Sequence, residues 1–476
     1  MPTQPNIVLI LIDDLGWTDL TCYGSGFYET PNLDRLASEG LLFTDAYASC
    51  PVCSPTRASI MTGKYPARVG ITQYIPGHAV GRLQDVPYFH GLPKSEVALP
   101  IPLSDAGYQT WHVGKWHLGD RQTWPEHMGF DVNVGGCGWG APRFGFFAPY
   151  KMPNLEEGPD GEYLTDRLTT EALSLLENRE KDRPFFLNLC HYAVHIPIQS
   201  PADLIEKYAE KAQTMGLDRE DVIVEGELFG AAHLRGQRVL RRTIQSDPAY
   251  AAMIENLDTN IGRVLDCLDH EGLSEDTVVI FTSDNGGLAT SNRFEGVPTS
   301  NRPLNEGKGW MYEGGTRVCQ IVRWPGTVAA GSTTAVPTTS TDLYPTLLEL
   351  AGAPANPTQH PDGKSLMPVL KNESFERGPI FWHYPHYANQ GGRPAAAVRD
   401  GPWKLIHHFE DDRYELFDLE NDVSETHNLA QTQPAVLDRL REALRQWQTE
   451  VEALMPRPNP NWQPDPLGED VDPAEV

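Results

Sequence analysis

Cysteine, uninterrupted apolar sequence and positive charge are all scarce in this chain. Seven cysteines in 476 residues, at positions 22, 50, 53, 137, 190, 267 and 319, are too sparse for a disulfide-stapled framework and odd in number, so most are expected as buried thiols. The longest strongly apolar run, Ile7 to Ile12, is far shorter than a membrane span and ends in Asp13-Asp14. The residues before it carry no Lys or Arg, so neither a signal peptide nor a membrane anchor is expected. On that reading the chain is cytoplasmic if full-length, and periplasmic or secreted if an export segment precedes it. Basic residues number 38 against 65 acidic ones, a formal charge of −27. That balance excludes a protein that coats nucleic acid or another polyanion, and any anionic ligand must be gripped by local cations.

What the chain does contain is an ordinary globular composition, 40% apolar and 22% charged. Short β-rich runs at Asn6 to Ile12, Tyr108 to Val113, Pro184 to Leu189 and Thr277 to Thr282 alternate with helical patterns, which predicts an α/β protein with a largely parallel sheet. Directly after these runs come Asp13-Asp14, Lys115-Trp116-His117, His191 to His195, and Asp284-Asn285. Ligands of open α/β sheets sit outside the carboxyl ends of the strands, so these groups are expected to converge on one site.

Residues 201–275 read as mostly helical, with core spacing from Tyr250 to Leu268. Before that stretch, Arg235, Arg238, Arg241 and Arg242 form a basic patch, read either as a solvated helix face or as a contact for an anionic substrate. From about residue 375 short aromatic runs precede an amphipathic helix, Pro434 to Met455, predicting a small antiparallel sheet with one helix across it. The expected division is 1–374 for the catalytic α/β domain, 375–456 for the C-terminal subdomain and 457–476 for an extended tail.

The most informative segment is Cys50-Pro-Val-Cys53-Ser-Pro-Thr-Arg57-Ala-Ser-Ile-Met-Thr-Gly63. Ser54-Pro55 reads as a helix start and Gly63 as its stop, placing Cys53 at a helix N-terminus that favours an anion. Cys50-x-x-Cys53 could be a redox pair or half a zinc site, although no other cysteines form a second pair. A cysteine phosphatase would want its arginine six residues after the nucleophile, and position 59 is Ser.

Cys53-x-Pro55-x-Arg57 resembles the signature of the type I sulfatases, a branch of the alkaline phosphatase superfamily. The resemblance continues through Asp13-Asp14 after the first run, Thr30 to Gly40, Gly114-Lys-Trp-His-Leu-Gly119, His195-Ile-Pro197, Ser283-Asp-Asn-Gly286, Gly307-Lys-Gly309 and Glu313-Gly-Gly-Thr-Arg317. It implies a large mixed, mostly parallel sheet sandwiched by helices, alkaline phosphatase-like, with a smaller C-terminal antiparallel sheet plus helix.

In that family the cysteine is oxidised by a separate formylglycine-generating or sulfatase-maturating enzyme to formylglycine, whose hydrate is the nucleophile. The resemblance therefore implies that Cys53 is modified and that Asp13, Asp14, Asp284 and Asn285, with residue 53 against the ion, hold one divalent cation, usually Ca²⁺. It assigns Arg57 to stabilising the modified side chain and Lys115 to holding hydrate and sulfate. His117 becomes the base that expels sulfate, His195 the proton donor to the departing alcohol, and Lys308 a sulfate contact. The substrate implied is a sulfated small molecule or oligosaccharide, with neither nucleic acid nor a membrane span involved.

Phe381 to Tyr387, with Arg399-Asp-Gly401 and Trp403-Lys-Leu405, resembles the C-terminal subdomain of bacterial sulfatases that act on sulfated galactose-type sugars. Trp382, His383, His386 and Arg393 are accordingly substrate-contact candidates, with Tyr74, His78 and the Gly135–Gly140 loop as further ones. The expected reaction is removal of sulfate from galactose or N-acetylgalactosamine sulfate by an exo-acting enzyme. Its rivals are a phosphonate monoester or phosphodiester hydrolase of the same superfamily and a non-catalytic, carbohydrate-binding pseudo-sulfatase.

Overall fold

The structure, a computed structural model, describes residues 4–291 and 296–463. Its centre is the strand Asn6–Ile12, whose near-continuous apolar sequence suits a strand covered on both faces. Phe185–Cys190 and Thr277–Ser283 flank it, both parallel, with Leu9 opposite Asn188 on one side and Ile280 on the other. Gln109–Gly114 and then Val132–Val134 extend the parallel set beyond Phe185–Cys190. On the far side Arg317–Arg323 is antiparallel to both Thr277–Ser283 and Leu41–Tyr47. Two short strands, Ser332–Thr334 and Thr338–Thr339, pair parallel to Leu41–Tyr47 and complete a nine-stranded, mixed but mostly parallel sheet.

Period-two alternation divides the first strand between two cores. Val8, Ile10 and Ile12 pack with the helices Pro31–Glu39, Leu164–Glu177, Ala202–Thr214 and Pro248–His270. Ile7, Leu9 and Leu11 pack with Cys53–Thr62, Pro100–Asp105 and Leu343–Leu350. Helices therefore cover both faces of the sheet, as the alternation of patterns predicted.

The C-terminal part is a four-stranded antiparallel sheet, Ile380–Tyr384, Ala395–Asp400, Trp403–His408 and Arg413–Asp418. The helix Pro434–Glu450 lies on one face, setting Leu440, Leu444 and Trp447 against Ala396, Val398, Leu405 and Leu416. The opposite face packs on Tyr47, Cys50 and Val52 of the larger unit. A buried ionic network reinforces that seam. Lys404 Nζ lies 2.8 Å from Glu313 Oε1 and 3.0 Å from Glu425 Oε1, Arg317 Nε lies 2.6 Å from Glu313 Oε2, and Arg399 Nη2 lies 2.5 Å from Asp45 Oδ2.

Two expectations need correction. Residues 201–275 are not one helical region, because Ile223–Leu228 and Arg238–Arg242 form an antiparallel hairpin that also pairs with Thr290–Ser291. The β-branched residues of these runs and the glycine at 236, with φ +79°, favour a hairpin over a helix. Arg241 consequently sits on a strand, half-buried, with Nη2 2.5 Å from Glu227 Oε2 and 2.8 Å from Glu306 Oε1, so it is no solvated helix face. The tail begins extended but docked: Gln84 N donates to Arg457 O (2.7 Å) and Asn459 N to Arg82 O (2.9 Å). Residues 464–476 of that segment lie outside the described residues. No described helix is long and apolar enough to cross a membrane.

Burial pushes His112 and His191 down to about 3 and His383 to about 4. Between those values and the ordinary imidazole value near 6.5 the unfolded chain binds protons that the folded chain does not, so each of these histidines contributes stability that is full above about pH 6.5 and is lost as pH is lowered. Asp13 and Glu425, which burial pushes up to about 8, act in the opposite sense, so the histidine contribution is read from a variant: from pH 7 to pH 5 the melting temperature of His191→Gln should fall less, or rise more, than that of the parent. Scanning fluorimetry on both proteins across that range checks it, and identical shifts contradict it.

Candidate active site

Four adjacent parallel strands end on the same side of the sheet, and each delivers one part of the site. Asp13 and Asp14 leave Asn6–Ile12, Lys115 and His117 leave Gln109–Gly114, His195 follows Phe185–Cys190, and Asp284 and Asn285 leave Thr277–Ser283. The helix Cys53–Thr62 adds its first residue, Cys53, and Arg57 one turn later, while its C-cap Gly63 has φ +69°. With Pro55 expected at its first position, this helix starts two residues earlier than the sequence suggests, and it stops at Gly63 as expected.

The geometry is compact. Lys115 Nζ is 2.6 Å from Asp13 Oδ2 and Lys308 Nζ is 2.7 Å from Asp14 Oδ2. Arg57 Nε donates to Asp284 Oδ2 at 2.8 Å and its Nη1 to Lys115 O at 2.8 Å, fastening the helix to two strand ends. Asn285 Nδ2 donates to Asp14 Oδ1 at 2.8 Å. His195 Nε2 is 3.5 Å from Asp14 Oδ2, and its Nδ1 is 2.8 Å from Ile196 O. Cys53 Sγ lies 3.4 Å from His117 Nδ1, whose Nε2 is 2.6 Å from Ile75 O, so one ring nitrogen is held by backbone and the other faces the sulfur. Asp14 (φ 62°) and His117 (φ 58°) hold the left-handed conformation that non-glycine residues avoid, a cost that over-determined functional positions bear.

Electrostatically the site is a knot of buried charge. Burial outweighs the Lys115 ammonium and pushes the Asp13 carboxyl up to about 8, with Asp284 and Asp14 adding repulsion. At Asp14 burial acts in the same sense, but Lys308 and His195 prevail and hold it well below the carboxylate range. Burial and Lys308 push His195 down to about 3, and burial and Lys115 push His117 lower than its ordinary value. Burial also raises the Cys53 thiol despite Lys115 and Lys308. The unmodified side chain is thus a thiol at neutral pH and a poor nucleophile, contrary to what its place at a helix N-terminus alone suggests.

Two donor clusters bring their ligand atoms within 4.8 Å of one another: Asp13, Cys53 and Asp284, and Asp13, Asp14 and His195. Asp13 Oδ1 and Asn285 Oδ1 are buried without a protein partner. Carboxylate and amide oxygens with unused lone pairs fit a hard divalent cation and do not fit a cysteine-based zinc centre. Cys50 and Cys53 are both buried free thiols, and burial raises Cys50 as well, which disfavours the redox reading of the pair.

The substrate-contact candidates fare differently. Trp382 is 1% exposed and donates its Nε1 proton to Ala48 O (2.8 Å), so it braces the chain entering the Cys53 helix. His383 is buried against Leu454 O at 3.0 Å. His386 is buried between Asp85 Oδ1 (2.6 Å) and Thr72 Oγ1 (2.8 Å). Arg393 pairs with Glu410 Oε2 at 2.6 Å and donates to Leu228 O at 3.2 Å. None of the four joins the strand-end cluster, because each is engaged in contacts that hold the subdomain together. His78 is exposed and shares Asp85 with His386, at 2.6 Å from Oδ2. Tyr74 accepts from Asn389 Nδ2 at 2.9 Å, and Asn389 Oδ1 lies 3.1 Å from His233 of the hairpin. Asp85, Asn389 and His233 were missed from the sequence, where no local pattern links positions 156 or 301 residues apart.

The sulfatase family profile matches residues 5–353, well over half of the chain and every strand-end residue described above. The chain belongs to the sulfatase family. Residues 306–450 of this sulfatase also match the N-sulphoglucosamine sulphohydrolase C-terminal profile. It is 33% identical to a sulfatase of Formosa agariphila, over 93% of this chain and 88% of the relative. It is 36% identical to N-acetylgalactosamine-6-sulfatase of Mus musculus, over 80% of this chain and 69% of the relative. Among solved structures the crystal structure of Ps i-CgsB superposes with a TM-score of 0.75 at 29% identity, covering 97% of this chain and 95% of that one. The same protein has been solved in complex with k-i-k-neocarrahexaose. The sulfatase is therefore an enzyme of sulfate-ester hydrolysis on the alkaline phosphatase-like framework that its motifs implied.

Proposed function

We propose that this sulfatase removes sulfate from a sulfated galactose-type sugar, galactose or N-acetylgalactosamine sulfate, acting from a chain end, with residue 53 matured to formylglycine and one Ca²⁺ held by Asp13, Asp14, Asp284, Asn285 and residue 53. The observation that carries the reading is the buried meeting of Cys53, His117, three carboxylates and three cationic side chains at adjacent strand ends. The galactose-type sugar is supported by the mouse relative's name and by the neocarrahexaose complex of Ps i-CgsB.

Formylglycine would supply a hydrated aldehyde, two hydroxyls on one carbon, and with it the chemistry of accepting a sulfuryl group and releasing sulfate without water attacking the ester. A divalent cation held by Asp13, Asp14, Asp284 and Asn285 would supply positive charge and favour deprotonation of a hydroxyl at residue 53. Lys308 and Lys115 bind the sulfate oxygens, and Arg57 orients residue 53 through its bridge to Asp284. His117 takes the proton that frees sulfate from residue 53, its Nδ1 already directed there. His195 donates to the departing alcohol oxygen. It is neutral in the free site, so the incoming sulfate ester, an anion, must supply the field that lets it hold a proton. Asp13 and Asp14 keep both lysines aligned.

The test is a screen of defined sulfated galactose-type mono- and oligosaccharides with matched phosphate and phosphonate esters, read by product mass and by the position that loses its substituent. We expect sulfate release from at least one saccharide and slower cleavage of the phosphorus esters. Preference for phosphorus esters favours the hydrolase rival, and sugar binding without turnover by the matured protein favours the pseudo-sulfatase.

A further inference from the structure

One exposed feature beside the site has no part in the chemistry above. The Gly135–Gly140 loop runs directly against the catalytic turn: His117 N donates to Cys137 O at 3.1 Å, and a Cβ on Gly140 would lie 2.6 Å from His117 Cε1. Only a residue without a side chain fits there, so the neighbouring Trp139 is carried to within one residue of the His117 ring. Further along, the same segment is pinned to the strand end that bears His195. Phe146 N donates to Gln199 Oε1 at 2.9 Å, and a Cβ on Gly145 would meet the same oxygen at 2.6 Å. Residues 139–145 thus span from His117 to the His195-Ile-Pro197 segment.

This span carries an unusual surface. Trp139 is half-buried, the Arg143 guanidinium lies over its ring at 5.1 Å, and Phe144 stands 6.1 Å from it in a tilted ring pair. Phe144 is 55% exposed, among the most exposed large apolar residues described, and Lys151 Nζ lies 4.9 Å from its ring centroid. Arg143 is exposed and forms no ion pair among the described residues, in a chain with a net charge of −27. Solvent-facing aromatics clustered with cations beside a reaction site offer a surface for a ligand that is both apolar and anionic. A pyranose offers an apolar face to an aromatic ring, and a sulfated one adds an anion for the neighbouring guanidinium.

We propose that Trp139, Arg143 and Phe144 form a subsite for the sugar unit next to the one that loses sulfate, taking its apolar face on the rings and its own anionic substituent against Arg143. This rests on the reading of the enzyme as a carbohydrate sulfatase and adds that its substrate is an oligosaccharide with more than one anionic group.

The experiment measures binding by calorimetry in the full-length Cys53→Ala background, which removes turnover, using a singly sulfated monosaccharide and a multiply sulfated oligosaccharide of the same series. Trp139→Ala and Arg143→Ala should each lower the ratio of oligosaccharide to monosaccharide affinity by about tenfold, and Trp139→Phe should restore most of it. Because Trp139 touches the core, the exposed Phe144→Ala provides a variant with little risk to folding and should lower the same ratio by about threefold. An unchanged ratio in all three alanine variants, with saccharide turnover intact in the matured enzyme, overturns the subsite and leaves the proposed function standing. Failure of the parent to bind any sulfated saccharide, with aryl sulfate still hydrolysed by the matured enzyme, overturns both.

Discussion

Cys53→Ala lowers the rate of sulfate release by about 10⁵-fold, the scale on which loss of a covalent nucleophile removes catalysis. The effect is expected to be chemical and not structural. Cys53 is 2% exposed, so alanine in its place removes one buried sulfur atom and leaves the helix, Arg57 and the strand ends in position. Burial raises the thiol of the unmodified cysteine and leaves it a poorer nucleophile than an exposed one. The proposed maturation to formylglycine would supply two hydroxyls on one carbon, so that sulfate can leave residue 53 without water attacking the ester, a route no thiol offers. Steady-state kinetics on the variant beside the matured parent, with melting temperature as a control for folding, checks the expectation. Full activity in Cys53→Ala would contradict the assignment.

Removing the divalent cation should have the second largest effect, lowering activity by about 10³-fold, with Ca²⁺ restoring it. The same treatment should lower stability. Three buried carboxylates share the site with Lys115, Lys308 and Arg57, yet Asp13 Oδ1 and Asn285 Oδ1 are buried with no protein partner and are free to take a cation. A cation bound by the folded state alone stabilises it by about 2.7 kcal/mol at a hundredfold excess over its dissociation constant. Melting curves with chelator and with added Ca²⁺ report this without any substrate. Identical curves, together with activity that survives chelation, would remove the metal from the account.

How much of this was legible in the sequence depends on whether a signal was local. The strand Asn6–Ile12 and its carboxylates were, because a six-residue apolar run that ends in Asp-Asp can hardly be anything other than a buried strand leading into a site. The convergence of Asp13, Lys115, His195 and Asp284 followed from a rule about parallel strand ends, and the four strands concerned prove to be adjacent. The hairpin at 223–242 was legible only in part, through its β-branched residues and Gly236. Its arginines resemble a helix face until Arg241 is seen between Glu227 and Glu306, the latter 65 residues away. Trp382 and His383 pose a related difficulty: the sequence identifies an aromatic strand, but not that the Trp382 side chain is engaged with Ala48 O. The joining of His78 and His386 through Asp85 had no sequence signature at all.

The net charge of −27 also acquires a location. At the reacting centre the cations that face the ester's sulfate group form one buried cluster of Arg57, Lys115 and Lys308, each tied to a carboxylate that fixes its position. Pre-placed charge of this kind costs no reorganisation when the ester is cleaved.

The most direct test of the account is peptide mass spectrometry across residue 53 on protein produced with and without a sulfatase-maturating enzyme, paired with sulfate release from a sulfated galactose-type saccharide by the same samples. The account predicts that sulfate release rises in proportion to the fraction of residue 53 present as formylglycine and is negligible where it remains cysteine. Full sulfate release from protein whose residue 53 is entirely unmodified cysteine would contradict it.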